Sequence, residues 1–514
     1  MAARAAVTFV GAHDPPTYSN TTPEMLIESI PVATPGEGGK TPAAGSTDQI
    51  AFGFRLQMAG AYQGQLPFWM YSNRYGELDP YSANATMNLF GGWHRQYRSG
   101  ITLSTGADFL LRGAEDASLR FQEAYVQLGY GSFVLWAGRK REYFGFVHPE
   151  LSTGTGDLSR NAMPIPKITL ATKGFQRLPG TRGIVDYNAS IAHGWMLDNE
   201  YRFVERPLLH QKHLYLRLFN GRSPVVPQGG VKHFAQWGGT HPEEGPAPAG
   251  LNAFRDIFFA RSADSPEIVP GGELGNRFQN HVGTYDFSLL FRFERVRFAI
   301  SRQFFLEDTP NARFGTPWDG MWGAWVEFPG NVHRSTRGLF AIHALNYEHI
   351  NTRESIRRIP HRDLDTSYNY HNHWFYFGGW THGGRAIGNP LFFGDPDHIG
   401  VVNNIMLAHH LGASGHASFI DWRLFATYSR NYGSPRIVDT SGRRYLGVTD
   451  RQDQWSFMLE LRDRALFSGL MRSFARELPD VMQGLELTAT FALDLGETHP
   501  RNAGMMIGLR WATW

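Results

Sequence analysis

From residue 50 the chain alternates apolar and polar positions: Phe52, Phe54, Leu56 and Met58 against Gly53, Arg55 and Gln57. Successive side chains of a strand point to opposite faces, so this period of two predicts a strand whose faces meet different surroundings. Similar segments recur at 85–96, 101–111, 119–130, 132–140, 184–194, 211–219, 230–237, 281–291, 294–304, 322–328, 339–349, 370–379, 404–411, 417–429, 454–462, 484–495 and 503–513. With the first they make about eighteen, inside the even-numbered range of closed outer-membrane barrels. Tight turns at 97–100, 130–131 and 412–415 follow even-numbered segments, whereas the turn at Glu294 and Arg295 follows an odd one. Short and long connections alternate in such barrels, so the mismatch predicts a strand gained or lost between residues 141 and 280.

The expected architecture is all-β: one antiparallel outer-membrane barrel over residues 50–514, its lumen obstructed by loops, with a few short helices. Plug or loop insertions are expected near 141–183 and 238–280. Residues 254–259 suit a short helix in one of them, and 464–477 place Leu466, Leu470 and Phe474 at helical spacing. A propeller would repeat every ~40–50 residues, and no motif recurs at such a period. Residues 1–49 contain the Pro/Gly/Thr-rich run 31–45 and read as an extended or disordered arm. Met1 to Val10 is too short for a full signal peptide, so an exported chain would be in its mature or trimmed form. Near the C-terminus Met505, Ile507, Leu509 and Trp511 alternate with Gly504, Met506, Gly508 and Arg510, and the chain stops on Trp514, out of phase with that apolar face.

Composition narrows the function. Aromatic residues are 14% and charged residues 19%, against roughly 25% charged in a typical soluble protein. Lys and Arg number 49 and Asp and Glu 47, a formal charge of +2, too balanced for a nucleic-acid groove. There is no cysteine, hence no disulfide, thiolate metal site or Cys nucleophile. No apolar stretch of about eighteen residues occurs, which excludes a spanning helix but not barrel strands of ~9–11 residues.

One segment stands apart from the alternation: Thr155-Gly156-Asp157-Leu158-Ser159-Arg160-Asn161-Ala162-Met163-Pro164-Ile165-Pro166-Lys167-Ile168. Two prolines in three residues remove backbone donors and fix φ, so the run is a shaped, irregular loop. Arg160 and Lys167 flank its rigid core. Either they contact an acidic polymer, or they form internal ion pairs that pin a plug, with Asp157, Asp186 or Glu205 as partners; the second reading is favoured because a buried cation needs a carboxylate.

This segment resembles the signature of the Wzi family of capsule-assembly proteins, outer-membrane lectins that hold capsular polysaccharide at the bacterial surface. Eight further blocks are similar, in order: Gly138-Arg139 with Tyr143-Phe144-Gly145, then 192–195, 209–217, 233–240, 317–323, 388–391, 408–412 and 428–433. The resemblance implies a barrel of about eighteen strands, obstructed by loops, with helices on the periplasmic side. It implies a binding protein in the bacterial outer membrane that takes capsular polysaccharide or exopolysaccharide as partner and sits among outer-membrane lipid; a larger surface complex is left open by the sequence. The arm at 15–49 departs from better-known members of the family.

Sugar binding needs flat aromatic faces and planar hydrogen-bonding groups. Candidates are Trp237 and Thr240, which bracket Gly238-Gly239, together with Trp318, Trp322, Trp380 and Arg385. The alternative for each Trp is the interfacial girdle. In the signature segment Asp157, Ser159, Arg160, Asn161, Pro164, Pro166 and Lys167 are the candidates. His371 and His373 would share a strand face, and His409 and His410 would point apart, which supplies no third ligand; no metal or cofactor is expected. No Gly-x-Ser-x-Gly elbow occurs, and the acid pairs Asp363/Asp365 and Asp395/Asp397 lie in polar loops, so no enzyme is expected. The alternative function is an oligosaccharide-permeable porin, which needs an open lumen; a barrel-embedded hydrolase is less favoured.

Overall fold

The structure, a computed structural model, describes residues 47–219, 223–261, 279–307, 314–332, 339–353, 369–395, 398–439, 443–463 and 485–513. Eighteen strands form one wall: β1 (Thr47–Gln65), β2 (Tyr81–Gln96), β3 (Thr102–Gly113), β4 (Ala117–Tyr130), β5 (Phe133–Arg139), β6 (Lys167–Thr172), β7 (Val185–Trp195), β8 (Leu208–Leu218) and β9 (Val225–Trp237), then β10 (Asn280–Arg292), β11 (Arg297–Leu306), β12 (Gly320–Glu327), β13 (Phe340–Asn351), β14 (Met406–Ala417), β15 (Ile420–Asp439), β16 (Arg444–Asp463), β17 (Leu485–Gly496) and β18 (Asn502–Ala512). Each pairs antiparallel with its neighbour in sequence, and β1 closes on β18 from Gly53↔Ala512 to Ala61↔Gly504. Closure is required physically, because an unpaired edge in hydrocarbon leaves N–H and C=O groups that cost several kcal/mol each.

The faces are inverted relative to a water-soluble sheet. In β2 the side chains of Asn84, Thr86 and Asn88 are buried while Met87 and Leu89 are exposed; in β17 Thr490 and Asp494 are buried while Phe491, Leu493 and Leu495 are exposed. Polar groups therefore line the inside and apolar ones meet lipid. Connections at 97–101, 131–132, 293–296 and 418–419 are short and share one end; 140–166, 238–279 and 352–405 are long and share the other. By the length rule the long end is extracellular.

Two segments were mistaken by pattern alone. Residues 370–379 form no strand: they belong to an irregular segment inside the barrel, where Tyr370, Phe375, Tyr376 and Phe377 are buried by packing rather than by pairing. Conversely β6 escaped detection because it is six residues long and follows Pro166 directly. One gain and one loss cancel, which preserves the count of eighteen. The expected turn at 412–415 lies within β14, and the chain reverses at 418–419 instead. The helical reading of 254–259 holds within α2 (Leu251–Phe259), whereas 464–477 and Trp514 lie outside the described residues.

Leu214 is exposed at the middle of β8. Leu214→Arg is expected to lower stability by about 2–4 kcal/mol, measured as a shift of the urea unfolding midpoint in lipid vesicles, with Leu214→Ala shifting it far less.

Candidate functional site

Three extracellular connections fold back into the barrel. The first carries α1 (Phe68–Tyr71), whose Phe68, Trp69 and Met70 are buried. Four residues make no stable helix alone, and its contacts with the wall supply what length does not. The Phe68 N–H donates to Asp494 of β17 at 2.8 Å, and Trp69 Nε1 donates to Thr427 of β15 at 3.0 Å. The second, 140–166, contains the signature segment. The third includes 369–395 and lies against the second.

Asp157 is the centre of the signature segment. Its carboxylate accepts from Lys232 Nζ of β9 at 2.5 Å, Thr155 Oγ1 at 2.8 Å and Thr284 Oγ1 of β10 at 2.9 Å. Lys232 also faces Asp286 at 3.5 Å, and Asp286 accepts from Tyr215 Oη at 2.7 Å and Gln303 Nε2 at 2.8 Å. A fully buried cation thus meets two carboxylates, each satisfied by further donors, the condition under which such a group is tolerated. The Asp157 carbonyl accepts from Trp380 Nε1 at 2.7 Å, the Ser159 N–H donates to Ile387 O at 2.8 Å, and Asn161 Nδ2 donates to Ala386 O at 3.1 Å. Gly388 is needed at this crossing: a Cβ there would stand 1.9 Å from Gly156 O. Signature and third connection are hydrogen-bonded as one unit.

Lys167, which opens β6, bonds Gln211 Oε1 at 2.6 Å and pairs with Glu142. The cation is internal, but its partner is Glu142 rather than Asp157, Asp186 or Glu205; Asp157 belongs to Lys232 and Asp186 to Arg217. Arg160 stacks over Tyr143 at 4.7 Å, and its carbonyl accepts from the Tyr75 N–H. Pro164 is buried, Ile165 packs with Trp380, Phe234 and Leu209, and Pro166 O accepts from Trp195 N at 3.0 Å.

On the opposite side of the lumen arginines take the place of the lysine. Arg141 bonds Glu77 at 2.5 Å, Asp108 at 2.7 Å and Glu123 at 3.0 Å, and Arg55 reaches Glu77 at 2.6 Å. Arg74 faces Glu460 at 3.5 Å, and Glu460 accepts from Arg423 at 3.0 Å. Guanidinium forks suit such sites because several donors leave one rigid group.

The aromatic candidates separate. Trp380 is 0% exposed and Trp237 3% exposed, the latter beneath Phe254 of α2, so neither offers a free face to a sugar. Trp322, 42% exposed, lies on the outward face of β12 with Arg302 5.0 Å from its ring, a girdle position rather than a mouth position. Trp318, 61% exposed, stands in the extracellular 307–319 connection. Thr240 is exposed and bridges to Glu205 through the backbone. Arg385 donates to Tyr71 O at 2.8 Å and to Leu78 O. His371 lies in the irregular 369–395 segment, not on a strand, and no group of three or more metal-ligating side chains occurs among the described residues. Asp363, Asp365 and Asp397 lie outside the described residues. Lys232, Arg112, Arg120, Arg141 and Tyr201 carry no motif in sequence; Arg120 and Lys232 fall within predicted strand segments, and Arg112 and Arg141 just beyond them.

The loop histidines and Asp198 give the plug a pH dependence. Burial pushes His371 down to about 3, and burial with Arg160 nearby pushes His148 down to about 4. His148 Nδ1 accepts from Glu150 N and Leu151 N, each at 3.2 Å, which requires the unprotonated ring. Burial raises the Asp198 carboxyl, but His382 and Arg202 overcome this and hold it well below the usual range. The histidine contribution is complete above an unfolded value near ~6.5 and declines as pH falls below it; the Asp198 contribution is complete above ~4 and declines under it. Both act in one direction, so the hydrogen exchange of 143–161 and 369–395, corrected for intrinsic rate, is expected to rise from pH 7.5 to 5 and again below 4. Lys232→Met, which leaves two buried carboxylates without their cation, is expected to cost about 3–5 kcal/mol, read as a lowered unfolding midpoint with selective proteolysis of the signature segment.

No protein-family model and no curated protein matches the chain. Among solved structures, the Escherichia coli outer-membrane protein Wzi, described as a carbohydrate-binding β-barrel involved in group 1 capsule assembly, is similar with a TM-score of 0.55 and 15% identity over 89% of this chain and 83% of that one. The outer-membrane protein OpdK of Pseudomonas aeruginosa overlaps 91% of this chain and 99% of its own at 9% identity and TM-score 0.44, and OccAB4 of Acinetobacter baumannii 92% and 100% at 8% and 0.45. The likeness to Wzi is one of fold, and with the inverted faces and closed wall it establishes the protein as an outer-membrane β-barrel.

Proposed function

We propose that this protein is a Wzi-type surface lectin, a barrel that binds capsular polysaccharide or exopolysaccharide at its extracellular face and contributes to attaching it to the cell. The observation that supports the reading most is the signature segment: Asp157, Ser159, Asn161 and Lys167 all spend their polar groups inside the barrel, which holds three connections in the lumen where a diffusion pore needs water. In this reading the signature residues position the extracellular face, and exposed groups there, Trp318 and Thr240 among them, meet the polymer. The carbohydrate binding described for Wzi points the same way.

Single-channel recording in planar bilayers is expected to show no steady open state; a constant ohmic pore would favour the porin instead. Polysaccharide from the native host is expected to bind the purified barrel, with Trp318→Ala weakening it by about three- to tenfold, the loss of one stacking contact of ~0.5–1.5 kcal/mol.

A further inference from the structure

Which sugar chemistry the extracellular face selects follows from a charge count around Arg120. Arg112 of β3 and Arg120 of β4 flank the extracellular 114–116 connection, and their neighbours Leu111 and Leu119 are the ones exposed to lipid. Both arginines therefore point to the barrel interior, where Arg385 of the third connection meets them. The three guanidiniums converge on residues 71–79. Arg120 donates to Gly76 O, Arg112 donates to the same carbonyl at 3.4 Å, and Arg385 donates to Tyr71 O and Leu78 O while lying 5.1 Å over the Tyr71 ring.

Among the described residues one carboxylate forms an ion pair with this group, Asp79 with Arg112 at 2.8 Å; Asp79 also acts through space on Arg120 and Arg385, Glu77 on Arg120, and Glu200 stands beside Tyr201. Glu77, next along the chain, is already shared by Arg55 and Arg141, and Glu115 engages Tyr81. The Nε atoms of Arg112 and Arg120 are buried with no hydrogen-bond partner among the described residues. Burial also pulls the Arg385 guanidinium below its ordinary value, and Arg112 beside it adds to the effect. Asp79 offsets one of the three cations, and the carbonyl dipoles that hold the other two do not neutralise them, so an arriving anion finds donors in place and relieves repulsion. Beside them stands a flat apolar face: Tyr201, 45% exposed, packs against Gly384, where a Cβ would come within 3.1 Å of its ring.

Resting on the polysaccharide reading above, we propose that Arg112, Arg120 and Arg385 bind the carboxylate of an acidic sugar residue in the retained polymer while Tyr201 packs on its ring. Fork-shaped donors suit a carboxylate, the adjacent aromatic suits pyranose C–H groups, and the inward position of the arginines separates them from lipid phosphates.

The test uses the full chain in detergent, with polysaccharide stripped from the native host and the same polymer after carbodiimide activation and borohydride reduction of its carboxylates to alcohols. The reduced polymer is expected to bind at least about tenfold more weakly, one lost charge-assisted contact. Arg120→Gln and Arg385→Gln should each weaken the native polymer by a similar factor and leave the reduced polymer unchanged, with Arg385→Lys recovering part of the loss. Tyr201→Ala should weaken both polymers alike. Equal affinity of the wild-type barrel for both polymers, or arginine variants that weaken both equally with unaltered melting, would overturn the charge site and leave polysaccharide retention standing. Binding of neither polymer would overturn retention itself, and the charge site with it.

Discussion

The buried contact between Asp157 and Lys232 is the constraint on which the interior depends. A barrel of eighteen strands encloses more space than its own inward side chains fill, so something must occupy the lumen or water does. Here an irregular segment enters from the extracellular side, and its carboxylate meets a lysine fixed on β9 at 2.5 Å. Neither charge is tolerable alone in that place. Their pairing sets the depth and rotation of the signature segment, and the other contacts follow from it: Trp380 reaches the Asp157 carbonyl, Gly388 lets two backbones cross, and Ser159 and Asn161 tie down 386–388.

The wall was legible in sequence because lipid enforces a strict rule. Every second residue of a spanning strand must be apolar whatever its neighbour does, so Met87 and Leu89, or Leu493 and Leu495, announce themselves. The interior obeys no such period. Tyr370, Trp374 and Tyr376 fall at the even spacing of a strand face because a lumen filler also needs bulky side chains, and periodicity cannot distinguish the two. β6 failed for the opposite reason: its six residues, Lys167 to Thr172, follow two prolines, and the proline signal masks a strand that starts at the next residue.

The site was legible in kind more than in detail. The need of a buried cation for a partner leads to an internal pair for Lys167, yet the choice of Glu142 over Asp157 depends on which groups lie opposite, a fact of three dimensions. Tryptophan carries the same ambiguity. Trp322 faces lipid, Trp237 lies under α2, Trp380 donates to a carbonyl inside and Trp318 is open to solvent, though all four are the same residue type near a loop. Arg112, Arg120 and Tyr201 belong to no motif, because what distinguishes them is their convergence with Arg385, and that exists only once β3, β4 and three connections are brought together.

A filled lumen also changes what the extracellular face can do. Loops that fluctuate freely lose conformational entropy each time a ligand orders them, about 0.5–1.5 kcal/mol for every rotamer-rich side chain immobilised. In this barrel Arg385 is already fixed by two carbonyls and a tyrosine ring, and Arg120 by the carbonyl of Gly76, before any ligand arrives. The ordering was completed during folding, driven by burial of aromatic side chains such as Trp69, Tyr370 and Phe392 in the same cluster. In the proposed reading, the interactions that hold the connections in the lumen also preorganise the guanidinium groups, so obstruction and recognition would be two consequences of the same packing rather than separate features of the fold.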